Sequence, residues 1–235
     1  MAGSTKPIRI LSAGAPKGGV TACAEAFIAE AGTPVEIDFA TAPVLRGTVE
    51  RGEAAADIVV APVEHMKGFE DRGQVMPGSG VVVGSVKAGV AVRAGGQKPD
   101  LSSAETLKWA LMSADSVVYN EASSGQYVAQ MIERLGIAEA IESHTTRLPT
   151  GGDVMSHLAR GQDIFEIGFG QIPEIRRFED RGVELAGPLP EEIGKTTTYA
   201  AGLLSDAAAP GVAKTLLAFM ASAEARLLYE AAGLE

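Results

Sequence analysis

The sequence predicts an α/β fold of two lobes, each a mostly parallel sheet flanked by helices. One observation is that short β-rich runs alternate with helical patterns, which is typical of parallel strands joined by helices. The other is a pair of extended stretches, residues 80–94 and 196–204, that interrupt this alternation. If the second stretch pairs with the first, they form two crossover strands that act as a hinge, with the ligand cleft between the lobes.

The first lobe is predicted over residues 1–82 and 202–235, so that it contains both termini. Its strand and helix pairs are expected at residues 8–11 and 19–31, 34–39 and 44–51, and 58–61 and 65–72. Two short helices close the chain, because apolar residues recur at helical spacing on either side of Ser222. Pro210 opens the first of these helices and Gly233 ends the second.

The second lobe is predicted over residues 83–201, as an insertion into the first. After a polar loop at residues 95–103, helices are expected at residues 106–113, 126–135 and 154–160, and strands at residues 116–119 and 165–169. Four strand-to-helix junctions are rich in Gly, Ser, Thr or Pro: residues 13–19, 41–43, 123–125 and 150–153.

The amino-acid composition argues against several classes of protein. Thirty acidic against twenty basic residues give a net charge of -10, and the chain has one Trp and four Tyr, so nucleic acid is not an expected partner. No apolar stretch reaches the roughly 20 residues that cross a bilayer, so no membrane insertion is expected. Three histidines lie far apart and the single cysteine, Cys23, falls within a predicted helix, so we expect neither a metal nor a cofactor.

Six segments carry a resemblance to a known family. They are Ile-Arg-Ile-Leu-Ser-Ala-Gly-Ala (residues 8–15), Phe-Ala-Thr-Ala (39–42), Gly-Glu-Ala-Ala-Ala-Asp-Ile-Val (52–59), Ser-Gly-Gln-Tyr-Val-Ala (124–129), residues 158–167, and the C-terminal helices. In this order, over about residues 7–235, they resemble the periplasmic molybdate-binding protein family, the oxyanion branch of the type 2 solute-binding fold. The resemblance implies a two-lobed type 2 periplasmic-binding-protein fold, a small anionic ligand, and the membrane component of an ABC transporter as a partner.

The resemblance also implies which residues hold the ligand. In that family, serine side chains of two loops, backbone groups of two others and a tyrosine hold a tetrahedral anion. These positions fall on Ala15, on Thr41 or Ala42, on Ser124, and near Phe169. Because Ala15 and Phe169 carry no hydroxyl group, we expect an organic carboxylate to bind in preference to molybdate.

The four junctions indicate how an anion can bind to an acidic protein. A helix N-terminus leaves up to four N–H groups unpaired and carries about half a positive charge. The serines and threonines there also suit ordinary N-caps, worth roughly 1 kcal/mol each. The junctions and the resemblance together predict the following ligand-binding residues: Gly14, Ala15, Lys17, Thr41, Ala42, Ser123, Ser124, Gly125, Gly151, Gly152 and Phe169.

Two functions stay open at this point. One is a solute-binding protein that traps a small anion, either an oxyanion or a carboxylate, with Lys17 as an ion-pair partner for a carboxylate. The other follows from the resemblance of the same fold to aconitate isomerase, which moves a double bond in an unsaturated tricarboxylate and requires a general base beside the anion. The candidate bases expected near the cleft are Lys17, Glu121, Asp153 and Glu166.

The cellular location depends on the true start of the chain. The first residues lack the apolar core and cleavage site of a secretory leader. We therefore expect a cytoplasmic protein if Met1 is the natural start, and a periplasmic one if a leader has been removed.

Overall fold

A computed structural model describes residues 6–235 of the chain. The fold divides into two compact units: unit 1 comprises Met1–Val86 and Thr197–Glu235, and unit 2 comprises Lys87–Thr196. The chain passes from unit 1 to unit 2 inside one long strand and returns inside another. The division predicted at residues 82/83 and 201/202 lies a few residues from these boundaries. The hinge and the ligand cleft remain predictions.

Strands and helices alternate over most of the described residues. Their order is β1 (Ile8–Ala13), α1 (Lys17–Ala31), β2 (Val35–Ala40), α2 (Ala42–Glu50), β3 (Ile58–Pro62), α3 (Val63–Asp71), β4 (Val81–Arg93), α4 (Ala104–Ser113), β5 (Ser116–Asn120), α5 (Ser123–Arg134), α6 (Ala138–Ile141), β6 (Thr145–Leu148), α7 (Gly151–Arg160), β7 (Glu166–Gln171), α8 (Ile172–Arg176), β8 (Val183–Pro188), β9 (Thr196–Leu203), α9 (Pro210–Met220) and α10 (Ala223–Ala231). Among these helices, none has both the length and the apolarity required to span a bilayer.

Three parallel strands lie at one side of the sheet in unit 1. The strand order is β2-β1-β3-β9-β4, with β1 parallel to β2 and β3, and with β9 antiparallel to β3. Ala13 lies opposite Ala40, so the loops after β1 and β2 begin at the same edge of the sheet. Helices α9 and α10 pack against α1. Beyond α10, Glu235 exchanges two backbone hydrogen bonds with Ser85 of β4, at 2.7 and 2.8 Å.

The sheet in unit 2 has the order β4-β7-β5-β6, and β8 also pairs with β4. Strand β5 is parallel to β6 and β7, whereas β4 is antiparallel to β7 and β8. Neighbouring residues of β5 face opposite sides of the sheet. Val117 therefore belongs to a buried cluster with residues of α4 and α5, and Val118 belongs to another with residues of α7 and α8.

The predicted α/β fold class is confirmed, and the predicted elements are present with ends that differ by at most three residues. Parallel pairing joins β1 to β3 and β5 to β7, while antiparallel pairing involves the strands that connect the units. The sequence pattern did not predict α6, β6, α8 or β8. Helices α6 and α8 have four and five residues, too few to display a helical period, and β6 is a four-residue edge strand.

Candidate anion-binding site

The residues predicted to bind a ligand fall into two groups, one in each unit. Gly14, Ala15, Lys17, Thr41 and Ala42 follow strands β1 and β2 in unit 1, and we call them the unit 1 junction cluster. Because β1 and β2 are parallel neighbours, their carboxyl ends bring all five residues to one edge of the sheet. Ligands of open α/β sheets bind at this kind of edge.

The helices that follow β1 and β2 begin with unpaired N–H groups. In α1 the Val20 N–H donates to the Pro16 carbonyl at 3.0 Å, but the N–H groups of Gly18 and Gly19 have no acceptor within residues 6–235. At the start of α2, Thr41 makes no side-chain capping bond, and neither helix has an acidic residue in its first turn. Both N-termini therefore keep the positive end of the helix dipole available to an anion.

Lys17 adds a full positive charge to the unit 1 junction cluster. Its Nζ lies 4.7 Å from the centroid of the Phe39 ring, which holds the ammonium group beside the end of β2 through a cation–π contact. Across the described part of the chain it forms no ion pair with a carboxylate. This charge is therefore suited to a carboxylate of a ligand.

The second group lies in unit 2. Ser123, Ser124, Gly125, Gly151 and Gly152 follow strands β5 and β6, and we call them the unit 2 junction cluster. Strands β5 and β6 are parallel neighbours, so these five residues also lie at one sheet edge. The serines and glycines belong to the first turns of α5 and α7, which explains why these helices begin earlier than predicted.

Asn120, the last residue of β5, organises the start of α5. Its Oδ1 accepts hydrogen bonds from the N–H groups of Ala122 and Gly125, at 2.9 and 3.2 Å, and its Nδ2 donates to Ser124 Oγ at 3.0 Å. Gly125 packs against the backbone of Asn120 so closely that a Cβ would collide with the carbonyl oxygen. Sequence reasoning missed Asn120, although asparagine is a common capping residue just before a helix.

The N-terminus of α7 is capped by the protein's own side chains. Thr150 Oγ1 accepts from the Asp153 N–H at 3.1 Å, and Asp153 Oδ2 accepts from the N–H and Oγ1 of Thr150 at 3.1 and 2.7 Å, which is a capping box. The carboxylate of Glu174 in α8 lies so close to Gly151 that a Cβ there would collide with it. An anion at Gly151 and Gly152 would therefore meet a resident negative charge.

The remaining candidate bases lie at opposite ends of the strands in unit 2. Glu121 is exposed and follows β5 at the carboxyl edge. Glu166 is the first residue of β7, at the amino edge, which corrects its expected position near the ligand. It is 3% exposed, its Oε1 lies 3.1 Å from Nε2 of His157, and its Oε2 has no hydrogen-bond partner in the part of the chain that the structure describes. The Glu166 carboxylate lies against the C-terminal end of α7. A Cβ added to Gly161, the residue after this helix, would collide with Oε2 of Glu166.

Phe169 and Gln171 stand two residues apart at the end of β7 and have different surroundings. Phe169 is 1% exposed and packs in the core beside Val90 of β4, so the ring expected to face the ligand has a packing role in this structure. Gln171 is the last residue of the strand. Only 7% of the residue is exposed, yet its Oε1 receives no hydrogen bond from any group within residues 6–235. Sequence reasoning did not single out Gln171.

An open pocket of about 420 Å³ runs along α7 in unit 2. Its lining residues are Leu148, Pro149, Asp153, His157, Arg160 and Gly161. Two of its polar side chains already have partners in the protein, because Asp153 caps α7 and His157 contacts Glu166. Across residues 6–235, no group of three or more His, Cys, Asp or Glu side chains is arranged to hold a metal ion.

A family model described as bacterial extracellular solute-binding protein matches residues 8–235. The chain belongs to this family. The match spans both units and every strand described above. The resemblance predicted from the six segments is therefore confirmed at the level of the family and its fold.

Solved structures of solute-binding proteins share the fold over most of the chain. The periplasmic molybdate-binding protein of Azotobacter vinelandii superposes with a TM-score of 0.78 at 17% identity, covering 97% of this chain and 98% of that one. The sulfate-binding protein SubI of Mycobacterium tuberculosis superposes with a TM-score of 0.77 at 18% identity, covering 97% and 86%. The predicted type 2 periplasmic-binding-protein fold is therefore confirmed.

One relative of this solute-binding protein carries the name of an enzyme. The aconitate isomerase of a Pseudomonas species is 29% identical to the chain over 236 residues, covering 97% of this chain and 87% of the relative.

Proposed function

We propose that this solute-binding protein binds a small organic anion, with carboxylates preferred over molybdate. The observation that supports this most directly is the unit 1 junction cluster. It combines the Lys17 ammonium group with two uncapped helix N-termini and supplies a single hydroxyl side chain, Thr41. A tetrahedral oxyanion depends on several neutral donors, whereas a carboxylate gains most from the cation.

The relative that acts on aconitate supports a tricarboxylate as the first ligand to test. Its similarity extends over nearly the whole of both chains, so it includes both junction clusters. The partner implied by the family is the membrane component of an ABC transporter, and the periplasm is the compartment in which such a transporter receives its ligand. Both are part of this proposal.

Calorimetry with the purified protein tests the ligand class. We expect citrate, cis-aconitate or a dicarboxylate to bind with a micromolar dissociation constant, and molybdate, tungstate and sulfate to bind one to three orders of magnitude more weakly, because each missing neutral hydrogen bond costs about 0.5–1.5 kcal/mol. A thermal-shift panel gives an independent readout, since a ligand at 100 times its dissociation constant adds about 2.7 kcal/mol to stability. A submicromolar constant for molybdate would overturn the proposed preference.

A second candidate function is the isomerisation of aconitate, which the relative of that name favours. Among the candidate bases, Lys17 and Glu121 lie at the carboxyl edges where a ligand is expected, whereas Asp153 is held in a capping box and Glu166 lies at the amino edge. The test is the absorbance of cis-aconitate during incubation with the protein. A steady change that is lost in Lys17→Met or Glu121→Gln supports an enzyme, and no change over hours excludes isomerase activity.

A further inference from the structure

Gln171 is a buried amide whose position and missing hydrogen bond point to a ligand. It ends β7, which is parallel to β5, so it lies at the same sheet edge as the first turn of α5. It also begins α8, whose Glu174 reaches Gly151 at the start of α7. The segment from Gln171 to Glu174 therefore lies among the residues of the unit 2 junction cluster.

The unpaired carbonyl of Gln171 requires a donor. A buried amide oxygen without a hydrogen bond is costly, and the great majority of such groups in folded proteins are paired. The amide of Asn120 lies at the end of the neighbouring strand, and its Oδ1 accepts hydrogen bonds from Ala122 and Gly125. Gln171 lacks such an arrangement, since its Oε1 accepts no hydrogen bond within residues 6–235.

The edge of unit 2 therefore contains a buried acceptor as well as donors. The N–H groups of Ser123 and Ser124 have no acceptor in the described chain and can bind an anion, whereas Oε1 of Gln171 can only accept a hydrogen bond. Molybdate and sulfate carry acceptor oxygens alone at neutral pH, so they leave the Gln171 carbonyl unpaired. A carboxylate ligand that also carries a hydroxyl group can satisfy both kinds of group.

We propose that Gln171 is a specificity residue whose Oε1 accepts a hydrogen bond from the ligand, and that the ligand is a small hydroxy carboxylate. The proposal rests on the proposed function, because it concerns the same small anionic ligand and names its chemical class. A site that is built to hydrogen-bond a hydroxyl group discriminates against analogues that lack it, since its own polar group is then left unpaired.

The test uses two dicarboxylates that differ by one hydroxyl group, malate and succinate. Calorimetry on the full chain measures the ratio of their dissociation constants in the wild type, in Gln171→Met and in Gln171→Glu. Methionine keeps the length of the side chain but cannot accept the bond, and glutamate keeps the acceptor but loses the amide donor. Gln162→Met is the matched control, because Gln162 is exposed and lies in the loop between α7 and β7.

We expect the wild type and Gln162→Met to bind malate about tenfold more tightly than succinate, and we expect this ratio to fall to about one in Gln171→Met. In Gln171→Glu the preference for malate is retained, while both affinities fall because the added negative charge repels each ligand. Melting curves show whether each variant is folded. If Gln171→Met does not fold, loss of the malate preference in Gln171→Glu still overturns the role of Gln171.

The outcomes separate this inference from the proposed function. If the wild type binds carboxylates with no preference for malate, or if Gln171→Met keeps the preference, the role of Gln171 is wrong and the proposed function stands. A preference that disappears in Gln171→Glu also overturns it, because the retained acceptor should preserve that preference. If the wild type binds neither these dicarboxylates nor citrate or cis-aconitate, the proposed function fails first.

Discussion

The two units share an arrangement of parallel strands, each followed by a helix. They differ in how the N–H groups at the helix N-termini are capped. In unit 1, helices α1 and α2 begin without a side-chain cap or an acidic residue, and Lys17 stands beside them. In unit 2, Asn120 bonds the first turn of α5, Thr150 and Asp153 cap α7, and the carboxylate of Glu174 lies against Gly151.

This difference indicates a division of tasks between two similar halves. Unit 1 leaves positive potential unused within the described chain, so it is suited to hold the charge of an anion. Unit 2 bonds more of its junction groups internally, although the N–H groups of Ser123 and Ser124 have no acceptor in the described chain. The internal bonds fix the geometry of these junctions and leave groups such as Gln171 to distinguish one ligand from another. The four predictions that follow test this division.

The largest effect is expected from Gly125→Ala in unit 2. The added methyl group would collide with the backbone carbonyl of Asn120, which cannot move without distorting the end of β5. We expect a loss of about 3 kcal/mol or more in the free energy of unfolding, measured by urea titration. Gly211→Ala in α9 of unit 1 is the control, because a Cβ there meets no atom within 4 Å. Equal stabilities for the two variants would show that the α5 junction is not tightly built.

Lys17→Met tests the charge assigned to unit 1. It keeps an apolar stem beside Phe39 but removes the ammonium group, so we expect carboxylate affinity to fall about tenfold while the melting temperature changes little. The control is Lys214→Met, an exposed lysine of α9 in the same unit. Calorimetry provides the affinities. An unchanged affinity in Lys17→Met would mean that the backbone N–H groups alone bind the ligand.

Two threonines at equivalent junctions provide the next comparison. Thr150 caps α7 with its side chain, so Thr150→Ala should cost about 1 kcal/mol of stability. Thr41 makes no capping bond at α2, so Thr41→Ala should leave stability nearly unchanged and instead weaken ligand binding. Urea titration and calorimetry measure the two properties. A similar loss of stability in both variants would contradict the contrast between the units.

The smallest expected effect is on the pH dependence of stability, through His65 in α3 of unit 1. Burial, together with the nearby charge of Arg46, lowers the pKa of His65 below its ordinary value of 6.5. The unfolded chain therefore binds this proton more readily, so the contribution of His65 to stability is present above pH 6.5 and is lost as the pH falls. His65→Gln should lose less stability than the wild type between pH 7 and pH 5. Parallel pH profiles for the two proteins would refute this assignment.

The sequence predicted the main elements because they have strong periods and clear ends. Strands such as β3 are short runs of apolar residues. The junctions before α1, α2, α5 and α7 contain glycine, serine, threonine or proline. Pro210 and Ser222 stand at the starts of the last two helices as predicted. These signals are local, so they are visible without a structure.

The parts of the site that the sequence did not predict depend on contacts between distant residues. Glu174 reaches Gly151 from another helix, and no spacing in the sequence links the two. Glu166 was expected near the ligand although it lies at the start of the strand predicted at residues 165–169, and the structure has it as the first residue of β7. Gln171 lies at the end of an apolar strand, which was a usable signal, but its unpaired carbonyl is visible in the structure alone.

The pairing of Glu235 with Ser85 has a practical consequence for work with this protein. The backbone of Glu235 both donates a hydrogen bond to β4 and accepts one from it. A tag fused after Glu235 would therefore begin beside the strand that leads into unit 2. Trimming the last residues would remove these bonds and the Leu234 side chain, which packs beside Gly84 in the same strand. An affinity tag or a fluorophore is therefore better not attached after Glu235 when ligand binding is measured.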